Sequence, residues 1–164
     1  MKTGIIIVFH NYENDINTNQ LINYCHELKS IQFCFVNNDS KDNTYLLLED
    51  IKDLCDNVSI VNIKKFKSDI SAVKSGARYM FNHFKLQHIG YINSNVFNKQ
   101  SEDLSQVMKT IGDHQETIIK YDKEQNVNQH KRKTLFQKLF SVVDYLAILE
   151  QERHVENFHY QSKL

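Results

Sequence analysis

Glycine is scarce in this chain, with only Gly4, Gly76, Gly90 and Gly112 in 164 residues. Four isolated glycines exclude the loops that cradle phosphates on main-chain N–H groups, both the GxGxxG dinucleotide turn and the GxxxxGK loop. P-loop ATPases and Rossmann dehydrogenases are ruled out on that ground, and no GxSxG nucleophile turn occurs either. Net charge is also missing. Twenty basic and twenty acidic side chains cancel, so nothing attracts nucleic acid or an acidic polymer in bulk, and any charge-driven binding has to be local. No apolar run approaches the ~20 residues of a membrane span. The opening MKTGIIIVFHNYEND has one Lys, a short apolar run and no small-residue cleavage site after it, which reads as a β-strand of a cytoplasmic protein rather than a signal peptide. Cysteine is limited to Cys25, Cys34 and Cys55, an odd number without CxxC or His-spaced ligand geometry, and buried reduced thiols are expected. The closing tripeptide SKL has the form of a peroxisomal address, which carries weight only in a eukaryotic source.

What is present is an alternation. Apolar runs of strand length recur at GIIIVF (Gly4 to Phe9), FCFV (Phe33 to Val36), VSIV (Val58 to Val61), HIGYI (His88 to Ile92) and TIIKY (Thr117 to Tyr121). Several are apolar on consecutive positions, as strands covered on both faces require. Helical stripes lie between them: Leu21, Cys25 and Leu28; Leu47, Ile51 and Leu54; Ile70, Val73, Ala77, Met80 and Phe84; Leu104, Val107 and Ile111. Asp42 or Asn43 is the expected N-cap of the second helix. The pattern predicts an α/β fold, a mainly parallel central sheet with helices on both faces in three Rossmann-like layers. Residues 1–164 read as one domain, with a core over 1–122 and a tail over 123–164. In the tail a polar loop, YDKEQNVNQHKRK, precedes an amphipathic helix with Leu135, Leu139, Val142, Val143, Leu146 and Leu149 in one stripe, widened by Phe136 and Phe140. That stripe is wider than one sheet face needs, so the helix is expected to pack partly on its own sheet and partly on a second copy, in a homodimer through 134–150. Basic residues opening an aromatic helix also describe a peripheral membrane contact.

Ligands of such sheets sit beyond the carboxyl ends of the strands. A phosphoacceptor receiver would need acids there, but the first strand is followed by His10 and Asn11 and the third by Asn62 and Ile63. The strand ends share amides instead: His10 and Asn11 with Glu13, then Asn37, Asn38 and Asp39, then Asn93 and Asn95. An amide donates and accepts without charge, which suits the hydroxyls and base edges of a sugar nucleotide better than a proton transfer. Capping and turn formation account equally well for Asn37 and Asn38, and a satisfied strand-end residue is the plainer reading of His10.

Four segments in order, GIIIVFHNYENDI, FCFVNNDSKDNT, SDISAVKSGARYMF and HIGYINSN, resemble the opening strand, second strand, phosphate-side helix and DxD strand of family 2 glycosyltransferases, whose fold is GT-A. The resemblance covers about the first 120 residues. It implies an inverting transferase acting on a cell-surface glycan or lipid acceptor, with a UDP- or GDP-sugar lying across the strand ends. The base would lie near Phe9, Asn11 and Asn38 with Asn37 adjacent, the ribose near Asn93, and the diphosphate with Mg²⁺ or Mn²⁺ near Asn95. Lys67 is implied as a phosphate partner. The chain departs from the family where the DxD becomes Asn93-Ser94-Asn95 and where the paired acids of the second strand become Asn37 and Asn38. Hard cations bind amide oxygens but rely on carboxylates for affinity. No acid matches the family's general base, since Glu116, Asp122 and Glu124 lie in no matching motif, and the catalytic residue is unassigned. A catalytically inactive binding or scaffold module of the same fold is the alternative reading.

Overall fold

The computed structural model describes residues 3–94, 104–114 and 139–142, with 116, 117, 120, 144, 145 and 147 as isolated positions. Their elements follow in the order β1 (Thr3–Phe9), α1 (Thr18–Glu27), β2 (Ile31–Asn38), α2 (Thr44–Leu54), β3 (Val58–Ile63), α3 (Asp69–His83), β4 (His88–Asn93), α4 (Leu104–Asp113) and β5 (Leu139–Ser141). All five strands are parallel, in the order β3-β2-β1-β4-β5. This is an α/β, Rossmann-like fold.

The order dictates the layering. From β1 the chain steps outward through β2 to β3, then returns to place β4 on the other side of β1. Crossovers of one hand can reverse direction only by moving the connecting helix to the opposite face. Accordingly α1 and α2 cover one face, through Leu21, Cys25, Leu48 and Ile51, and α4, on the long connection between β4 and β5, packs on that same face through Val107 and Met108. The other face is covered by α3 through Ala72, Val73, Ala77 and Met80. Strand alternation feeds both clusters: Ile5, Ile7, Phe9, Phe33 and Phe35 point to the first, and Ile6, Val8, Cys34 and Val36 to the second. The three cysteines are free and buried as expected. Burial raises the Cys34 thiol to about 12 and lifts those of Cys25 and Cys55 as well, so all three are poor nucleophiles.

Three local expectations are corrected. The buried stripe of α2 is Thr44, Leu48 and Ile51, with Leu54 61% exposed. Thr44 turns inward because its Oγ1 accepts the Tyr12 N–H at 2.7 Å, which rotates the helix away from the Leu47 face. Ile70 lies outside the buried stripe of α3 at 56% exposure. Thr117 and Lys120 are helical, and the fifth strand is Leu139–Ser141, inside the segment expected to be helix. Leu139 packs on the α3-side cluster and Phe140 on the other, as adjacent strand residues must. Gly90 on β4 admits them: a Cβ there would meet Phe140 Cζ and Val142 Cγ2, both at 2.8 Å. Phe140, Val142 and Tyr145 therefore belong to the chain's own core, and a dimer contact through 134–150 would have to use other residues of that segment. Leu135, Phe136 and Leu149 lie outside the described residues.

Candidate functional site

The strand order reverses between β1 and β4, and the carboxyl ends of these strands form the edge at which ligands of such sheets sit. Two loops are clasped together on this rim. Asn11 and Asp39, each just past a strand, adopt left-handed backbone with φ of 49° and 58°, a conformation that Asn and Asp tolerate better than other side chains. The turn lets Asn11 donate its N–H to Ser40 Oγ at 3.0 Å and accept the Lys41 N–H on Oδ1 at 2.8 Å. The Glu13 carboxylate accepts the Asn43 N–H, while the Glu13 N–H donates to Asp42 Oδ2 at 3.2 Å. Asp42 Oδ1 accepts the Thr44 N–H at 3.0 Å, so the first turn of α2 is capped from Asp42, one position before the boundary residue Asn43.

His10 sits beneath this clasp. Its Nδ1 is 2.7 Å from the Asn38 carbonyl, which can only accept, so Nδ1 carries the proton. Nε2 is then the acceptor for Asn11 Nδ2 at 3.3 Å, and one neutral tautomer satisfies both bonds. The ring meets Phe66 edge to face at 4.8 Å. Asn38 itself is fully buried and spends its amide on one main-chain unit: Nδ2 donates to Lys67 O at 2.8 Å, and Oδ1 accepts the Lys67 N–H at 3.0 Å. This paired bond ties the β3–α3 loop to the tip of β2. Asn37 faces the opposite side, where Nδ2 donates to Asn62 Oδ1 at 2.9 Å and its own buried Oδ1 has no partner among the described residues.

At the end of β4, Asn93 Nδ2 donates to Asp69 Oδ2 at 2.6 Å. The buried Ser94 hydroxyl donates to Val8 O at 2.7 Å, anchoring β4 to β1. Asn95 lies outside the described residues. A hard cation calls for converging carboxylates. Asp69 is already engaged by Asn93, and among the described residues no group of three or more His, Cys, Asp or Glu is placed to hold a metal. The described donors do not fit a divalent ion.

No protein-family model matches the chain, and comparison with curated proteins finds no match.

The residues singled out from sequence therefore divide. His10, Asn11, Glu13, Asn38 and Lys67 are brought together around the two loops, and Asn93 joins them through Asp69 at the start of α3. Phe9 is fully buried, with its ring 5.5 Å from Phe35 and 5.8 Å from Tyr12, so it forms the floor of the crevice rather than a stacking surface. Asn37 is turned toward Asn62 on the α1–α2 face, the side to which its register partner Phe9 points. Sequence reading passed over Ser40, Lys41, Asp69 and Phe66. Asp69 was accessible as an acid in the first turn of a helix; Ser40 and Lys41 follow from contacts with Asn11 that span 29 and 30 residues of chain, and Phe66 from its still more distant contact with His10.

The carboxylates of the rim carry an acid sensitivity. The hydrogen bond and charge of Lys41, 2.7 Å away, hold Asp39 below its ordinary value. Burial pushes Asp42 up, but hydrogen bonds from the Thr44 side chain, the Thr44 N–H and the Glu13 N–H outweigh it, and the net shift is down. A carboxyl whose folded-state pKa is depressed contributes stability that is fully present above the ordinary Asp value of about 3.9. That contribution is lost as pH falls through the lower value held in the fold. Melting temperature is thus expected to fall on acidification through that window, with a shallower dependence in Asp42→Asn. Equal slopes in thermal melts of the two proteins would dissociate the clasp from acid stability.

Proposed function

We propose that the chain binds a nucleotide-diphospho-sugar at the carboxyl ends of β1, β2 and β4, in the manner of a glycosyltransferase-like domain. The observation that carries this reading is the convergence of amides, a neutral imidazole and Lys67 at the switch point of an all-parallel sheet. A diphosphate is attracted by the lysine, and the neutral donors and acceptors suit ribose hydroxyls and base edges. Three of the segments that resemble family 2 glycosyltransferases run out to this edge and the fourth, SDISAVKSGARYMF, begins there as α3, which supports the same reading. In that reading Asn38 acts through the loop it holds, since both ends of its amide are bonded to Lys67.

A non-catalytic module of the same fold is favoured by a separate observation. Among the described residues of the rim, every carboxylate is engaged within the chain: Glu13 and Asp42 by main-chain N–H groups, Asp39 by Lys41, and Asp69 by Asn93. An inverting transfer needs a carboxylate within reach of the acceptor hydroxyl, and these four are committed elsewhere.

Calorimetric titration with UDP- and GDP-sugars, with and without Mn²⁺, tests binding, and its absence at millimolar ligand removes the nucleotide-sugar reading and leaves a scaffold module. Turnover of a bound nucleotide-sugar separates transferase from module. Asn93→Asp is the complementary test. It sets a carboxylate where the amide now meets Asp69 at 2.6 Å, so like charges repel in buffer alone and a divalent ion bridges them. The variant is expected to melt below wild type without metal and to recover with Mn²⁺. A melt indifferent to Mn²⁺ would mean that this edge lacks cation geometry even when the charge is supplied.

A further inference from the structure

The α3 side of the sheet differs from the rest of the molecule. From Lys64 to Lys85 the chain carries six basic side chains, Lys64, Lys65, Lys67, Lys74, Arg78 and Lys85, against the single carboxylate of Asp69, in a protein whose charges cancel over the whole chain. All six are exposed. Large apolar side chains stand among them: Phe66 is 54% exposed, Ile70 56% and Phe81 65%. At 3.6 residues per turn Ile70, Lys74 and Phe81 fall within about 40° of one another and span roughly 16 Å of α3. They form a stripe flanking the face that Ala72, Val73, Gly76, Ala77 and Met80 bury. Phe66 extends the stripe to the crevice mouth, held there against His10.

We propose that this face docks on an anionic lipid surface, with α3 lying along the membrane plane and the crevice opening at its edge. Charge and apolarity have to be satisfied together. A plane of anionic headgroups attracts the lysines, and the acyl boundary just below receives Phe66, Ile70 and Phe81. Five of the six cations are Lys, hydrated point charges whose apolar stems lie along a surface, rather than the planar forks used for bidentate recognition of one phosphate. A nucleic-acid backbone would meet the charges and leave the three apolar groups in water.

The test is cosedimentation of the full chain with phosphatidylcholine vesicles containing about a third phosphatidylserine. Binding is expected at low salt, at least ~tenfold tighter than to phosphatidylcholine alone. It should be lost near ~1 M salt, where the Debye length falls to ~3 Å. Phe66→Ser with Phe81→Ser, and separately Lys64→Gln with Lys65→Gln, should each lower partitioning roughly tenfold while leaving circular dichroism and the urea midpoint unchanged, because all four side chains are exposed. The proposal is overturned if wild type fails to sediment or ignores lipid charge. It is equally overturned if the Phe variant binds like wild type and heparin displaces the vesicles, the signature of a polyanion site. Binding that survives both α3 variants and disappears on replacing Lys131, Arg132 and Lys133 would also overturn it by moving the contact to that segment.

Discussion

Asn38→Asp is expected to destabilise the fold by about 3–5 kcal/mol at neutral pH, the usual cost of a buried charge left without compensation. This holds even though an acid is what the resembling family carries at that position. The reason is the polarity of the partner. Lys67 offers Asn38 both its N–H, at 3.0 Å, and its carbonyl, at 2.8 Å. An amide answers both, whereas a carboxylate accepts the first and is repelled by the second with no solvent to screen it, since the side chain is fully buried. Protonation restores a donor, so the folded-state pKa of the introduced carboxyl is raised. The deficit relative to wild type should then narrow as pH falls toward the ordinary Asp value of about 3.9. Asn38→Ala should cost about 2–6 kcal/mol with little dependence on pH, because it leaves two main-chain groups unsatisfied at about 1–3 kcal/mol each. Urea denaturation of the three proteins at two pH values checks this, and a stable Asn38→Asp at neutral pH would mean that the β3–α3 loop can let go of β2. The same experiment bears on function. If the loop detaches, Lys67 and Phe66 move with it, so ligand or vesicle binding should weaken together with stability.

Asn38 also marks where sequence reading stopped. The amides were legible as a set, because β2 and β4 end on Asn, Asn11 follows β1 closely, and turn formers come after. Their division of labour was not, since it depends on partners 25 to 29 residues away in sequence: Asn62 for Asn37, the Lys67 main chain for Asn38, and for His10 the Asn38 carbonyl. The first four strands were legible for a simpler reason. Ile5, Ile6 and Ile7 are apolar in succession and all fully buried, a pattern that a surface helix does not produce. β5 escaped because Leu139–Ser141 is three residues long, inside a segment whose apolar positions also fit a helical repeat. Runs that short are decided by what will receive them, here the open side of β4 left by Gly90. Thr117–Tyr121 shows the converse, with strand-favouring composition but Thr117 and Lys120 helical. The exposed apolar stripe of α3 was hidden by the same periodicity that revealed the helix: Ile70 keeps the spacing of the core positions, yet lies at the margin of the buried face.

Close approach of α3 to the sheet sets the position of everything on its first turn, and Gly76 controls that approach. A Cβ at Gly76 would lie 2.8 Å from Ile6 Cγ2 and 2.9 Å from Val36 Cγ2. Both neighbours are β-branched, stiff at χ1, and fully buried on central strands, so neither can swing aside. Gly76→Ala gains about 1 kcal/mol of helix propensity but has to lift α3 or strain the strands, and a net loss of about 1–3 kcal/mol is expected. Gly112→Ala is the control: there the nearest atom is Leu28 Cδ2 at 3.1 Å, the end of a side chain that can rotate, so the propensity gain should survive and stability should hold or rise. If Gly76→Ala behaves like Gly112→Ala in urea melts, α3 is not seated by this contact. If it loses stability as expected, adding Val36→Ala should recover part of the loss by making room for the methyl. Lifting α3 also draws Asp69 away from Asn93, now 2.6 Å apart. The proposed nucleotide-sugar binding should therefore weaken in Gly76→Ala although no atom of residue 76 reaches the strand ends, and the Val36→Ala partner should restore affinity in step with stability.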